Sequence, residues 1–351
     1  MADVFTHPWL GSLFGDAATN AALAAPQQLH NMLGVERAYT AALHATGQIS
    51  AEAAAVVDEL LANPNLDMDM LRQGTGQDGM VVPALIRQLK AQLPEEFHDA
   101  LHTGLTSQDV IDTAFVLSIK AIIEDFLGRL RRLVSDLQQI SQTHGDRILM
   151  GRTRMQAALP VSVADRLDTW RIPLAAHLDR LTTSRRPIEI LSIGGPVGTR
   201  TNDDVARHMA TAFQLDLPGK APHAMRAHVA DFANVLSLIT GSLGKMGQDI
   251  ALMAQQGIDD IQLSSGGQSS AMAHKNNPIH AELLITLARF NATQLSGMHQ
   301  AMVHEQERSG AAWTLEWMLL PQMLQATGAA LNSANALLGS IERLGHTSDG
   351  N

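Results

Sequence analysis

The chain of 351 residues has no cysteine, and this absence excludes several kinds of chemistry. Without thiols there can be no disulfide, no thiolate nucleophile and no cysteine-ligated zinc or iron–sulfur centre. Aromatic residues are scarce, at 4% of the chain, and no uninterrupted apolar run approaches the length of a membrane-spanning helix. The first residues lack the basic segment and apolar stretch of a secretory signal. We therefore expect a cytoplasmic protein that works without a membrane.

Positive charge is also in short supply. The 25 Lys and Arg residues face 35 Asp and Glu, which gives a net charge of −10 and disfavours nucleic acid as the main partner. An anionic substrate stays possible, because the potential of a site is local. The 15 histidines show no metal-binding spacing such as H-E-x-x-H, and no glycine-rich segment matches a nucleotide loop. We expect neither a metal nor a cofactor.

Helical periodicity dominates what is present. Apolar residues recur at alternating steps of three and four between Phe115 and Ile140, and again between Val229 and Met253. If Ser107 caps the first of these helices and Gly145 ends it, the helix spans roughly 55 Å. Such long stripes predict an all-α, elongated bundle of long helices. In a monomer, part of these apolar stripes would be exposed.

Two further long segments extend this pattern. One runs from about Ile279 to Glu307, and the other is a helix that opens at Pro160 and reaches Leu181 with a kink at Pro173. The intervening segment Arg186–Asp204 contains I-G-G-P-V-G-T-R and is typical of an irregular connection between helices.

The segment Gly266–Pro278, G-G-Q-S-S-A-M-A-H-K-N-N-P, carries the strongest functional signal. A glycine pair allows the backbone to bend and reclose over a ligand. Hydroxyls next to a lysine are what enolate chemistry needs, namely a group that moves a proton and a positive charge for the developing anion. Taken alone, such a polar run is also typical of an ordinary surface loop.

This segment resembles the mobile loop of the fumarase/aspartase superfamily, whose pattern is S-S-x-M-P-x-K-x-N-P. The residues that match this pattern are Ser269, Ser270, Met272, Lys275, Asn277 and Pro278. Two residues depart from the family: Gln268, just before this pattern, and Ala273, within it. Both positions concern the stiffness of the loop more than its chemistry.

Two more segments agree with the resemblance. His102–Thr113, H-T-G-L-T-S-Q-D-V-I-D-T, is similar to the superfamily's T-S-x-D box, although capping of a helix would explain it equally well. Gly151–Pro160, G-R-T-R-M-Q-A-A-L-P, is similar to the second box, in which Arg154 stands where the family has histidine. In lyases that cleave C–N bonds this histidine is usually assigned as the acid for the leaving nitrogen. A guanidinium cannot donate that proton, but it can bind a carboxylate with two parallel hydrogen bonds.

One branch of the superfamily, the 3-carboxy-cis,cis-muconate cycloisomerases, fits this departure. Its members carry an E-R-x-x-G-A-W-x-x-E-W-like run, and this chain has E-R-S-G-A-A-W-T-L-E-W from Glu307 to Trp317. By itself that run would suit a packed helix face. The resemblance implies an enzyme that lactonises 3-carboxy-cis,cis-muconate in protocatechuate-type aromatic catabolism, through an enolate intermediate.

The resemblance also implies roles for individual residues. Ser269 would be the proton donor and Lys275 would stabilise the enolate. The substrate-binding residues would be His102, Thr106, Ser107, Thr153, Arg154, Gln156, Ser270, Met272, His274 and Asn277.

The same resemblance implies a homotetramer in which three subunits form each active site. It implies a smaller helical N-terminal domain (1–105) and a central long-helix domain (106–307). Only a short C-terminal helical segment (308–351) follows, so we expect the family's C-terminal domain to be reduced or absent. Three alternatives stay open. They are a fumarate-releasing C–N lyase such as adenylosuccinate or argininosuccinate lyase, a cycloisomerase for a 3-sulfo analogue, and a non-catalytic helical scaffold.

Overall fold

The computed structural model describes residues 3–264, 266–268 and 276–347. Helices dominate it, so the expected all-α bundle of long helices is confirmed. The helices are α1 Gly11–Phe14, α2 Ala17–Leu23, α3 Ala25–Ala45, α4 Ala51–Ala62, α5 Met68–Asp78, α6 Val82–Lys90, α7 Ser107–His144, α8 Val163–Ile188, α9 Asp203–Phe213, α10 Ala227–Met253, α11 Ile279–Gln300 and α12 Gly310–Gly339, with a 3₁₀ helix at Glu95–Ala100. None of the described helices is long and apolar enough to cross a membrane.

Short antiparallel strand pairs connect some of these helices. The strands are β1 Ile148–Thr153, β2 Gln156–Ser162, β3 Ile261–Leu263, β4 Gly267–Gln268, β5 Asn276–Asn277 and β6 Ile341–Leu344. The pairs are β1 with β2, β3 with β6, and β4 with β5.

Five long helices, α7, α8, α10, α11 and α12, form the bundle and share one large apolar core. Contacts between side chains fix their directions. Near the start of α7, Asp112 meets Arg226 just before α10 and Trp313 in the first turn of α12. Helix α8 runs the opposite way, because its last turn reaches back to the first half of α7 through Arg185 and Glu124.

The bundle therefore has two ends. The Ser107 end is where α7, α10 and α12 begin, and the hairpin end is where β1 and β2 lie beyond the last turn of α7. Helix α7 has 38 residues and spans roughly 57 Å between the two ends. Against the Ser107 end, helices α3, α4, α5, α6 and α9 form a second apolar core with the first turns of α7.

The stripes that the periodicity predicts are present but lie deeper than expected. Every residue of the stripe from Val229 to Met253 is buried within the chain, and most of the stripe on α7 is buried as well. The sequence-based argument that a monomer would expose these stripes is therefore wrong, because α8, α11 and α12 of the same chain already cover them.

Three boundaries also differ from the sequence-based predictions. Pro160 does not open a helix, since it lies in β2 opposite Met150, and α8 begins only at Val163. Thr106, one residue before Ser107, is the N-cap of α7. The third long helix ends at Gln300 rather than at Glu307. The domain boundaries at 105/106 and 307/308 stay predictions, and α12 packs against α10 and α11 as a full member of the bundle.

Candidate active site

The T-S-x-D box forms the start of α7, and its aspartate holds two chain segments together. The Asp109 carboxylate is fully buried and accepts hydrogen bonds from the backbone N–H groups of Thr106 (3.0 Å), Gly194 (2.8 Å) and Gly195 (2.9 Å). His223 Nε2 lies 2.8 Å from the same carboxylate. Asp109 is therefore a structural residue that fixes the first turn of α7, with the half-buried Thr106 and Ser107 beside it.

His102, four residues before the helix cap, contacts a buried carboxylate. Its Nδ1 lies 2.6 Å from Oε1 of Glu36, which is in the middle of α3 and has 0% of its surface exposed. The backbone of His102 has a φ of 65°, a left-handed conformation that is uncommon for residues other than glycine. This predicted binding residue is thus held firmly next to the start of α7.

A buried ionic network joins the beginnings of three helices. The Arg226 guanidinium donates to Glu316 through Nε (2.9 Å) and Nη2 (2.5 Å) and to Asp112 through Nη1 (2.8 Å). Trp313 Nε1 donates to the other oxygen of Asp112 at 2.9 Å. Burial opposes the charged form of Arg226, but the two carboxylates raise the pKa of this guanidinium above its ordinary value. Through this network, Trp313 and Glu316 of the E-R-x-x-G-A-W-x-x-E-W run hold the beginning of α12 against those of α7 and α10.

A cavity of about 290 Å³ lies over this network. Its walls are mainly apolar and include Met32, Phe115 and Trp317, while Asp112, Arg226 and Glu316 contribute its polar part. Both sides of the Arg226 guanidinium already face carboxylates, so this cavity is poorly suited to receive another carboxylate.

The second box forms the β1–β2 hairpin at the opposite end of the bundle. Arg154 and Met155 are the two central residues of its turn and have φ values of 50° and 67°, as in a type I′ turn. Thr153 and Gln156 pair directly across the turn, and all four side chains are exposed. Two successive residues other than glycine in this conformation are unusual, and such strain tends to occur at functional sites.

Glycine is required where this hairpin bulges. The register of the two strands shifts between Met150 and Arg152, and Gly151 lies between them. A Cβ atom at Gly151 would lie 2.6 Å from the carbonyl oxygen of Leu159, which no real side chain tolerates. The glycine of G-R-T-R therefore allows the strands to approach closely just before the turn that presents Arg154.

The loop with the S-S-x-M motif begins at this same hairpin end. Arg152 Nη1 donates to Oδ2 of Asp260 at 2.6 Å, which ties the hairpin to the chain that leads into the loop. Strands β4 and β5 pair Gly267 with Asn277, so the two ends of the loop are held together and the half-buried Asn277 lies at its base. The predicted site residues Ser269, Ser270, Met272, His274 and Lys275 lie outside the described residues.

The candidate residues of one chain thus fall into two groups. Thr153, Arg154, Gln156 and Asn277 lie at the hairpin end, whereas His102, Thr106 and Ser107 lie at the Ser107 end. Helix α7 separates the groups by roughly 57 Å. A single chain cannot bring both groups to one small molecule.

Sequence inspection missed several residues of the Ser107 end. Glu36 and His223 have no motif around them, and Arg226 is remote in sequence from both of its carboxylate partners. One weak signal exists for Glu36, because this carboxylate lies on the buried face of α3 that also carries Met32 and Tyr39. A charged residue on an apolar helix face is a departure that a helical plot of the sequence would have shown.

Comparisons with known proteins point to one family. The family model described as lyase matches residues 16–293. The 3-carboxy-cis,cis-muconate cycloisomerase of Acinetobacter baylyi is 31% identical over 89% of this chain and 72% of its own length. The enzyme of the same description from Pseudomonas aeruginosa is 32% identical over 97% of this chain and 77% of its own length. The crystal structure of the 3-carboxy-cis,cis-muconate lactonizing enzyme from Pseudomonas putida superposes with a TM-score of 0.88, at 29% identity, over 95% of this chain and 77% of that one.

Proposed function

The chain belongs to this lyase family of the fumarase/aspartase superfamily, and we propose that it acts as a cycloisomerase that lactonises 3-carboxy-cis,cis-muconate. The observation that carries this function is the similarity to four curated cycloisomerases, which are 30% to 32% identical over 89% to 97% of the chain. Arg154 agrees with this function. Its turn offers a guanidinium to a third carboxylate, at the position where a C–N lyase of this fold would have an acid.

The reaction is an internal addition in which the ionised substrate takes up one proton, and this proton comes ultimately from solvent. An oxygen of one substrate carboxylate forms a bond to an alkene carbon, and the π electrons move toward the carbon beside another carboxylate. The resulting enolate then takes a proton on that carbon, which completes the lactone. In the reverse direction the leaving group is a carboxylate with a low pKa, so no acid is needed to protonate it.

We assign the proton transfer to Ser269 and the stabilisation of the enolate to Lys275. A serine hydroxyl is a weak acid and base, so its transfer must be assisted by charge placed close to the enolate, which an ammonium group supplies. The β4–β5 ladder supports this assignment, because it closes the loop that carries both residues at a base formed by Gly267 and Asn277.

The other predicted site residues take binding roles in this proposal. Arg154 binds the 3-carboxylate, and Thr153 and Gln156 flank it across the strained turn. Thr106 and Ser107 offer hydroxyls at the start of α7, where the helix dipole favours a carboxylate. His102, Ser270, Met272, His274 and Asn277 line the remainder of the site.

Because the two groups of residues lie at opposite ends of α7, we propose that the site forms between copies of the chain. The Ser107 end of one copy would meet the hairpin end of another, an arrangement that antiparallel packing of the long helices allows. A homotetramer with shared active sites satisfies this requirement for every copy.

The direct test follows the ultraviolet absorbance of 3-carboxy-cis,cis-muconate during incubation with the purified protein. We expect the conjugated-diene band to disappear with wild-type protein and with Ser135→Ala, which removes an exposed serine of α7, but not with Ser269→Ala. Activity retained by Ser269→Ala would rule out this serine as the proton donor. No loss of the band with wild-type protein, together with fumarate release from argininosuccinate or adenylosuccinate, would overturn the proposed function.

A further inference from the structure

The β1–β2 hairpin projects from the bundle, and little of its outer part is held by packing. All residues from Thr153 to Pro160 are exposed. A hairpin of two strands is at best marginally stable by itself. The turn is also strained, because Arg154 and Met155 both adopt left-handed conformations that residues other than glycine rarely adopt. A contact from outside the hairpin is therefore needed to fix the position of the Arg154 guanidinium.

Arg152 makes such a contact. Its Nη1 donates to Oδ2 of Asp260 at 2.6 Å and to the carbonyl oxygen of Met150 at 3.2 Å, so the guanidinium spans the bulge at Gly151. Within the described part of the chain, the bond to Asp260 is the only hydrogen bond that joins residues 152–160 to anything outside the hairpin. A hydrogen bond between a guanidinium and a carboxylate is about twice as strong as one between neutral groups.

Asp260 is held firmly enough to be the fixed end of this brace. Only 4% of its surface is exposed. Its N–H donates to the carbonyl oxygen of Met253, the last residue of α10, at 3.1 Å, and its carbonyl oxygen accepts from the N–H of Gly345 at 2.9 Å. The other carboxylate oxygen, Oδ1, lies 3.6 Å from Nε2 of His346, which is beyond hydrogen-bond distance. The brace thus connects the end of a bundle helix to a residue two positions before Arg154.

We propose that Asp260 is a positioning residue, which through Arg152 holds the strained turn so that the Arg154 guanidinium meets the 3-carboxylate of the substrate. The inference rests on the proposed function for the identity of the anion and for the role of Arg154. Arg152 is already bound to Asp260, so in this proposal it does not contact the substrate. A displacement of about 1 Å at a substrate-positioning group can cost up to about 100-fold in rate. A brace beside the turn can therefore control recognition of the third carboxylate without touching it.

The test measures kcat and KM for 3-carboxy-cis,cis-muconate and for cis,cis-muconate, which lacks the third carboxylate. Arg152→Met removes the brace from the hairpin side, where 31% of the side chain is exposed, and Asp260→Asn weakens it from the bundle side. Each change is made alone and together with Arg154→Met. Asp259→Asn is the matched control, because it neutralises the adjacent aspartate, which pairs with Arg343 and not with the hairpin.

We expect Arg152→Met to lower kcat/KM for the tricarboxylate about 10-fold, mainly through KM. Asp260→Asn should lower it about 3- to 10-fold, because the amide oxygen still accepts a weaker hydrogen bond. For cis,cis-muconate, kcat/KM should change little in both variants. Neither change should cause a further loss when Arg154→Met is already present, because the brace acts through that guanidinium. Asp259→Asn should match wild type on both substrates.

Equal losses on the two substrates would mean that the pair only stabilises the fold. Losses that multiply with the loss from Arg154→Met would mean that the pair acts independently of this residue, and either result would overturn the inference.

Failure of the proposed function is a different result, because wild-type protein would then leave the muconate unchanged. In that case hydrogen–deuterium exchange of the peptide that spans the turn still decides whether the pair braces the hairpin. We expect faster exchange in Arg152→Met and Asp260→Asn than in wild type and Asp259→Asn. Equal exchange rates in all four proteins would contradict the brace.

Discussion

Arg154 is the residue on which the choice between reactions depends. Its guanidinium is exposed at the tip of the β1–β2 turn, in a backbone conformation that residues other than glycine rarely adopt. A planar guanidinium at such a tip can bind a carboxylate with two parallel hydrogen bonds, but it cannot act as an acid near neutral pH. We therefore propose that Arg154 recognises the third carboxylate and does not transfer a proton.

This role predicts a substrate-dependent effect of Arg154→Met, which keeps an unbranched side chain and removes the charge. A hydrogen-bonded charge contributes about 1.5–3 kcal/mol, so kcat/KM for 3-carboxy-cis,cis-muconate should fall roughly 10- to 100-fold. For cis,cis-muconate, which lacks the third carboxylate, kcat/KM of the wild type should be lower than for the tricarboxylate, and Arg154→Met should change it little. For the tricarboxylate, the kcat/KM of Arg154→Lys, the matched control, should lie between the values for wild type and for Arg154→Met. Equal losses on both substrates would contradict the assigned role.

At the residue scale the sequence indicated the motifs but not their partners. The boxes around Ser107, Arg154 and Ser269 could be recognised because their spacing is local and specific. Glu36 and Arg226 could not, because they act on residues 66 and 90 positions away along the chain. Contacts at such separations depend on how the helices pack, and a single sequence does not give that packing.

The long helices show how periodicity translates into structure. The apolar stripes of α7 and α10 predicted two helices with the correct faces buried, since steps of three and four place side chains on one side of a helix. Pro160 was misassigned because proline suits both the first turn of a helix and an exposed strand, and here the hairpin register with Met150 decides.

Helices α8 and α10 also bury a histidine between them. His177 is almost inaccessible, and its Nε2 lies 2.8 Å from Oγ of Ser242. Burial, with a contribution from the charge of Arg180, lowers the pKa of His177 from 6.5 to about 4. The folded protein thus holds a neutral imidazole at a pH at which the unfolded chain would already be protonated.

The sign of the resulting pH effect follows from this difference. Between pH 6.5 and about 4 the unfolded state binds a proton that the folded state does not, so the free energy of unfolding falls as the pH is lowered through that range. The shift corresponds to about 3 kcal/mol. We expect His177→Gln to flatten this part of the curve in urea unfolding at a series of pH values. His208→Gln, which removes an exposed histidine of α9, should leave the curve unchanged, and an unchanged slope in His177→Gln would contradict the prediction.

At the scale of the whole molecule, the separation of the two ends matters more than the apolar stripes. The stripes gave a wrong argument for assembly, because the chain buries them by itself. Helix α7 gives a better one, since it holds Ser107 roughly 57 Å from the hairpin that carries Arg154. Only the directions of the five long helices show that the β1–β2 hairpin and Asn277 lie at one end and the T-S-x-D box at the other.

The most direct measurement co-expresses two variants that should each be inactive, Ser269→Ala and the double variant Thr106→Ala/Ser107→Ala. The mixture is then assayed for lactonisation of 3-carboxy-cis,cis-muconate. Each site should take its Ser107 from one copy and its Ser269 from another, so random assembly restores about a quarter of the sites. The account predicts activity in the mixture near that fraction of wild type, with neither variant active alone. A mixture as inactive as its components, beside an active wild type, would contradict a site shared between copies.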